Sequence, residues 1–117
     1  MGHLSTHVLD TAHGCPAAGM VVTLQRVHAG APVTLKQFTL NADGRAGGPL
    51  LGAAEMTVGS YRLLFDVAPY FRARGVALPE PPFFSVVQLD FGIADAAAAY
   101  HVPLLVSPWS YSTYRGS

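Results

Sequence analysis

Charged side chains are scarce in this sequence: 12% of 117 residues, with seven cations balanced by seven acids, against about 25% in an average soluble domain. With neither a cationic excess nor a clustered basic stretch, the electrostatic footprint of a nucleic-acid binder or of a protein that adheres to acidic membranes is missing. Cysteine is nearly absent. Cys15 stands alone, so no intrachain disulfide can form, and no basic segment followed by an apolar secretory core opens the chain; a cytoplasmic location is expected. No apolar run approaches the roughly 18 residues needed to cross a bilayer, and Ala96 to Ala99 is only a short tract beside a turn. Long helical patterns between strands are missing too, which argues against a parallel βαβ architecture. The usual nucleophile signatures fail as well. There is no Gly-x-Ser-x-Gly elbow and no glycine-rich phosphate loop, and Cys15 sits in a Gly-Cys-Pro turn, so covalent catalysis is disfavoured.

Half of the residues are hydrophobic. A chain of this length buries about two-thirds of its unfolded surface around one core, so residues 1–117 are expected to form a single domain. With so few charges, some apolar surface is expected to meet other copies of the chain. Six segments rich in β-branched, aromatic and Leu residues read as strands: Leu4 to Asp10, Met20 to His28, Val33 to Leu40, Tyr61 to Val67, Phe84 to Phe91 and Tyr100 to Val106. Turn-forming clusters separate them at His13 to Pro16, Ala29 to Pro32, Asn41 to Gly44 and Leu78 to Pro82, the spacing of a sandwich or barrel. In Tyr61-Arg62-Leu63-Leu64-Phe65 the odd positions share one face, as a half-buried strand requires. Tyr61, Leu63, Phe65, Phe84 and Phe91 are read as core, and Trp109, between Pro108 and Ser110, as interfacial. One short helix is expected from Pro69 to Arg74, with Gly75 as its stop.

A few polar side chains interrupt apolar patterns: His7 and His101 within strands, Arg45 after Asp43-Gly44, and the tail Tyr111 to Ser117. Taken alone, a strand histidine is more often a surface or hydrogen-bonded residue than a catalyst, and Arg45 in Asp-Gly-Arg is more often a solvated turn residue. His3 and His7 are four apart, which pairs ligands on a helix but spans about 13 Å in a strand, too far to share one ion. No metal site is expected.

The opening Leu4-Ser5-Thr6-His7-Val8-Leu9-Asp10-Thr11 and the ending Tyr111-Ser112-Thr113-Tyr114-Arg115-Gly116-Ser117 resemble the two signatures of the 5-hydroxyisourate hydrolases of the transthyretin-like family. Between them, Gly14-Cys15-Pro16-Ala17, Asp43-Gly44-Arg45, Gly59 to Leu63 and Tyr100 to Leu105 fall in family order, so the resemblance covers essentially the whole chain. It implies an all-β, transthyretin-like (prealbumin-like) sandwich of two four-stranded sheets with one short helix after the fifth strand. It implies a homotetramer with active sites at the dimer–dimer interface, and it maps the family's catalytic histidines, arginine and terminal tyrosine onto His7, His101, Arg45 and Tyr114. Departures are modest: Trp109-Ser110 stands where an aromatic followed by Gly is usual, and Ala96 to Ala99 replaces a more polar loop.

The implied reaction is hydrolysis of a ring amide of 5-hydroxyisourate, a purine-derived small molecule of urate breakdown, with no cofactor. Such a step needs a base for water, a cation or donor for the tetrahedral oxyanion, and a proton for the leaving nitrogen. His7, Arg45 and His101 would fill these roles, with the base being either histidine. Arg45 would also hold substrate oxygens through its paired donors. Tyr114 would offer a hydroxyl and a ring face, and Ser117 a terminal carboxylate, toward the substrate. Two other readings share the fold: a carrier of hydrophobic ligands, and an interaction domain without catalysis.

Overall fold

The computed structural model describes residues 2–116. Eight strands and one helix follow in order: β1 (His3–Asp10), β2 (Cys15–Pro16), β3 (Val21–His28), β4 (Ala31–Thr39), β5 (Gly59–Asp66), α1 (Val67–Ala73), β6 (Val86–Ile93), β7 (Ala99–Val106) and β8 (Tyr111–Thr113). They build two four-stranded sheets, β2-β1-β7-β8 and β4-β3-β5-β6. This is the transthyretin-like sandwich that the resemblance implied, with its helix directly after the fifth strand.

Period-2 patterning sets which side faces which way. In β1 the residues Leu4, Thr6, Val8 and Asp10 are buried while Ser5, His7 and Leu9 are half-buried. In β7 the buried series is Tyr100, Val102, Leu104 and Val106, with His101 half-buried on the opposite side. Leu4, Val8 and Leu104 meet Val22, Leu24, Leu63 and Phe65 of the second sheet in one core. Each such side chain contributes about 1.5–3 kcal/mol on leaving water. The one polar hydroxyl carried inward by β1, Thr6, donates its Oγ1 hydrogen to the Val102 carbonyl at 2.7 Å, which removes the cost of burying it.

β1 and β7 pair in parallel, whereas every other strand pair is antiparallel. Their register sets Ser5 opposite His101 and His7 opposite Pro103. Because same-face residues recur every two positions, His7 and His101 become diagonal neighbours on the outer face, their backbones about 8 Å apart by strand rise and strand spacing.

Several elements differ from the expectations. β2 and β8 were not anticipated, β6 begins two residues later than Phe84, and β4 extends back through Pro32. Pro32 is tolerated because β4 is an edge strand. Phe84 is only half-buried and packs edge-on against Phe83 and Tyr111 rather than in the core. The helix takes Val67 and Ala68 before Pro69, since proline in a first helical turn forfeits no intrahelical hydrogen bond.

Candidate active site

The outer face of the β1–β7 pair carries the polar side chains. Strand alternation turns Ser5 and His7 outward from β1 and His101 outward from β7, so that hydrophobic burial on one side compels polar exposure on the other.

Arg45 reaches this face from a loop built for the purpose by Asn41 and Gly44. The Asn41 side-chain oxygen accepts the backbone N–H groups of Asp43 at 2.9 Å and Arg45 at 3.2 Å, an Asx turn. Gly44 has φ 72°, the left-handed conformation that glycine adopts without penalty. Its carbonyl accepts the Val8 N–H at 3.0 Å, and a Cβ there would lie 2.5 Å from the Val8 carbonyl oxygen. The loop is therefore pressed onto β1 one residue beyond His7. Arg45 Nη2 comes to 3.5 Å from His7 Nδ1, the outer limit of a hydrogen bond. In that contact the guanidinium can only donate, so Nδ1 of His7 is the acceptor.

His101 is held more tightly. Its Nδ1 shares a 2.8 Å hydrogen bond with Ser5 Oγ across the strand pair. The tail returns beside it: the Gly116 N–H donates to the His101 carbonyl at 2.7 Å, and a Cβ on Gly116 would sit 2.6 Å from His101 Cδ2. Only glycine lets the backbone lie this close to the ring. Partial burial lowers the His101 pKa, the positive charge of Arg45 adds to that, and His7 and His3 contribute in the same direction. The ring is thereby kept neutral to lower pH than a free histidine, with a lone pair available on one nitrogen.

Ser5, Thr6, Asn41, Arg45, Gly47 and Gly48 line a cavity of about 240 Å³ beside these groups. A larger hollow of about 490 Å³ lies between the tail and the β6 edge, lined by Asp90, Phe91, Tyr100 and Tyr114 among others. Neither histidine lines either hollow; Arg45 and Ser5, which hydrogen-bond to His7 and His101, line the smaller one.

Of the residues singled out in the sequence, His7, Arg45 and His101 converge on one face. Tyr114 does not join them within this chain. It is exposed on the tail, lines the larger hollow, and makes no side-chain hydrogen bond to the other three. Ser117 lies outside the described residues. Ser5 and Gly116 were not foreseen as functional. The alternation that exposes His7 also exposes Ser5, but only the parallel register of β1 with β7 puts it against His101. Among the described residues no three metal-ligating side chains cluster, and none of the helices is long and apolar enough to cross a membrane.

The chain is similar to known proteins along its whole length. It is 54% identical to a 5-hydroxyisourate hydrolase of Ralstonia nicotianae over 117 residues, covering 100% of both chains. The solved 5-hydroxyisourate hydrolase of Klebsiella pneumoniae superposes with a TM-score of 0.81 at 37% identity, again covering 100% of each chain. An (S)-allantoin synthase structure superposes with a TM-score of 0.92 at 47% identity. That match covers 99% of this chain but 44% of the other, so the chain spans less than half of that longer protein. The sequence profile of the HIUase/Transthyretin family matches residues 4–116. The chain belongs to the HIUase/Transthyretin family.

Proposed function

We propose that this protein hydrolyses 5-hydroxyisourate to 5-hydroxy-2-oxo-4-ureido-2,5-dihydro-1H-imidazole-5-carboxylate, a step of urate degradation to allantoin, with residues 1–117 acting as one catalytic domain. The observation that carries the proposal is the gathering of two histidines and an arginine on one outer sheet face in a chain 54% identical to a hydrolase of this substrate. A channel that only carries apolar ligands gains nothing from such a cluster.

Water adds through its oxygen to the ring carbonyl carbon C6, and one histidine accepts the proton that the water loses. Arg45 donates to the tetrahedral oxyanion, where fixed charged donors are worth the most. The C6–N1 bond then breaks, N1 leaves with a proton from the second histidine, and the new carboxylic acid ionises. Tyr114 and the Ser117 carboxylate would bind substrate. Because Tyr114 stands apart from the histidines of its own chain, we place it in the site of a neighbouring copy, within a homotetramer whose sites lie between dimers. We assign the protein to the cytoplasm and its action to a small-molecule substrate without a cofactor.

Freshly generated 5-hydroxyisourate, followed by ultraviolet absorbance, tests the activity. Ring opening should be accelerated well above the spontaneous rate, and decay at the spontaneous rate with folded protein would refute the proposal. Light scattering at micromolar concentration should give four times the chain mass, and a monomer would refute the assembly.

A further inference from the structure

Within this site one contact has no role in the chemistry above: the hydrogen bond between Ser5 Oγ and His101 Nδ1, 2.8 Å long and between residues 96 apart in sequence. We propose that Ser5 is a positioning residue that accepts the Nδ1 proton of neutral His101, leaving Nε2 as the unprotonated nitrogen and making His101, rather than His7, the base toward water. The assignment rests on the hydrolase reading for its chemistry, but the tautomer it names is a property of the protein alone.

A neutral imidazole carries its proton on one nitrogen, and the partner of that nitrogen decides which. A serine hydroxyl can accept the proton or donate its own, so the surroundings must choose. The groups that face the ring are cationic or can become so: Arg45 from its loop, and His7 and His3 from β1. On the tail, Arg115 donates through Nη2 to the Ala99 carbonyl at 3.2 Å. Burial and the charges of Arg45, His7 and His3 favour the neutral ring, and its Nδ1 edge lies against the Ser5 hydroxyl. His7 complements this arrangement. Its Nδ1 accepts from Arg45, so its proton sits on Nε2, where it can pass to the leaving nitrogen as the proton that His101 took from water is relayed to His7, which leaves both rings neutral. One histidine then presents a lone pair and the other a proton, as hydrolysis of an amide requires.

The ring is also fixed in orientation. Ser5 holds the Nδ1 edge while the Gly116 backbone rests against Cδ2. With both edges occupied, rotation of the imidazole by half a turn would break the hydrogen bond, bring Cδ2 against Ser5 and exchange the positions of Nε2 and Cε1. A base kept in one orientation avoids the loss in rate that misplacement brings.

Nitrogen-15 NMR of histidine-labelled protein without substrate, above pH 7 and assigned with the His101→Ala variant, reports which nitrogen carries the proton. The wild type should show Nδ1–H at His101, Ser5→Ala should shift the population toward Nε2–H, and Ser5→Thr, which keeps the hydroxyl, should retain Nδ1–H. In ring opening, Ser5→Ala should lower kcat by about tenfold or more with KM within about twofold, and Ser5→Thr should recover most of that loss. Nε2–H at His101 in the wild type overturns the proposal whatever the variants do. So does a Ser5→Ala protein with unchanged tautomer and kcat. If the tautomers behave as stated but no variant, wild type included, opens the substrate, the Ser5 assignment stands and the hydrolase reading alone falls.

Discussion

One hydrogen-bonded cluster forms around Asp10 at the end of β1 and another around His101 on the neighbouring strand β7, and the two differ in what they leave unused. At the far end of β1, fully buried Asp10 accepts the Ala12 and His13 N–H groups at 3.0 Å on one oxygen. The other oxygen meets His13 Nδ1 at 2.6 Å and accepts the Tyr70 hydroxyl at 2.7 Å, while the His13 ring stacks on Phe71. Burial alone would raise the Asp10 carboxyl, but the hydrogen bonds from Tyr70 and His13 outweigh it and hold its pKa below the ordinary range. Tyr70 is pushed far up, first by burial and then by that carboxylate. Every lone pair of the carboxylate is spent on closing the loop after β1 and tying it to α1. The His101 cluster has one tight side-chain partner, Ser5, and leaves the other ring nitrogen without a hydrogen bond among the described residues. Perturbed titration marks both places; unspent hydrogen-bonding capacity marks only one.

The comparison can be broken by substitution. Asp10→Ala should cost about 3 kcal/mol in chemical denaturation, because it strands a buried phenol and two N–H groups, yet leave turnover per folded molecule within about twofold. His101→Ala, His7→Ala and Arg45→Ala should do the reverse: turnover lower by at least about tenfold, the scale of lost acid–base or oxyanion help, with stability within about 1 kcal/mol. A His101→Ala protein of normal rate, or an Asp10→Ala protein that is stable and inactive, would exchange the two roles. A smaller contrast follows from the tail. Deleting Arg115-Gly116-Ser117 removes the Gly116 contact with His101 but little packing, so catalysis should suffer more than melting temperature. Equal loss of both would make the tail structural.

The two clusters should also separate by pH. His101 has a lowered pKa in the folded chain, so the unfolded chain binds its proton first as pH falls below about 6.5, and stability declines from there down to the folded value. Asp10 is also lowered, but for a carboxylate the stabilisation persists above its unfolded pKa near 3.9 and is lost as pH falls through the folded pKa. Melting temperature should therefore fall in two stages, and His101→Ala should remove only the upper one.

How much of this could be read from the sequence depends on length and alternation. β1, β5 and β7 each have eight residues of clear period 2, enough to predict both their existence and their outward polar residues. β2 and β8 have two and three residues, too few to carry a period; they exist because β1 and β7 offer them edges. Phe83 and Phe84 have strand-like composition, but they precede β6 in an aromatic group with Trp109 and Tyr111, so β propensity misplaced that boundary. His7, Arg45 and His101 could be named from motifs, whereas Ser5 could not. Its partner is 96 residues away, and only strand pairing reveals the contact.

The pH dependence of kcat/KM for ring opening tests most directly whether a neutral His101 is the base, because it reports ionisations of the free enzyme. With the spontaneous reaction subtracted and folding verified at each pH, the wild-type rate should hold through neutrality and fall on the acid side. The midpoint should lie below 6.5, as burial and Arg45 require, and the limb should vanish in the residual activity of His101→Ala. A wild-type midpoint at or above 6.5, a flat profile from about pH 4 to 8, or the same limb in His101→Ala would contradict it.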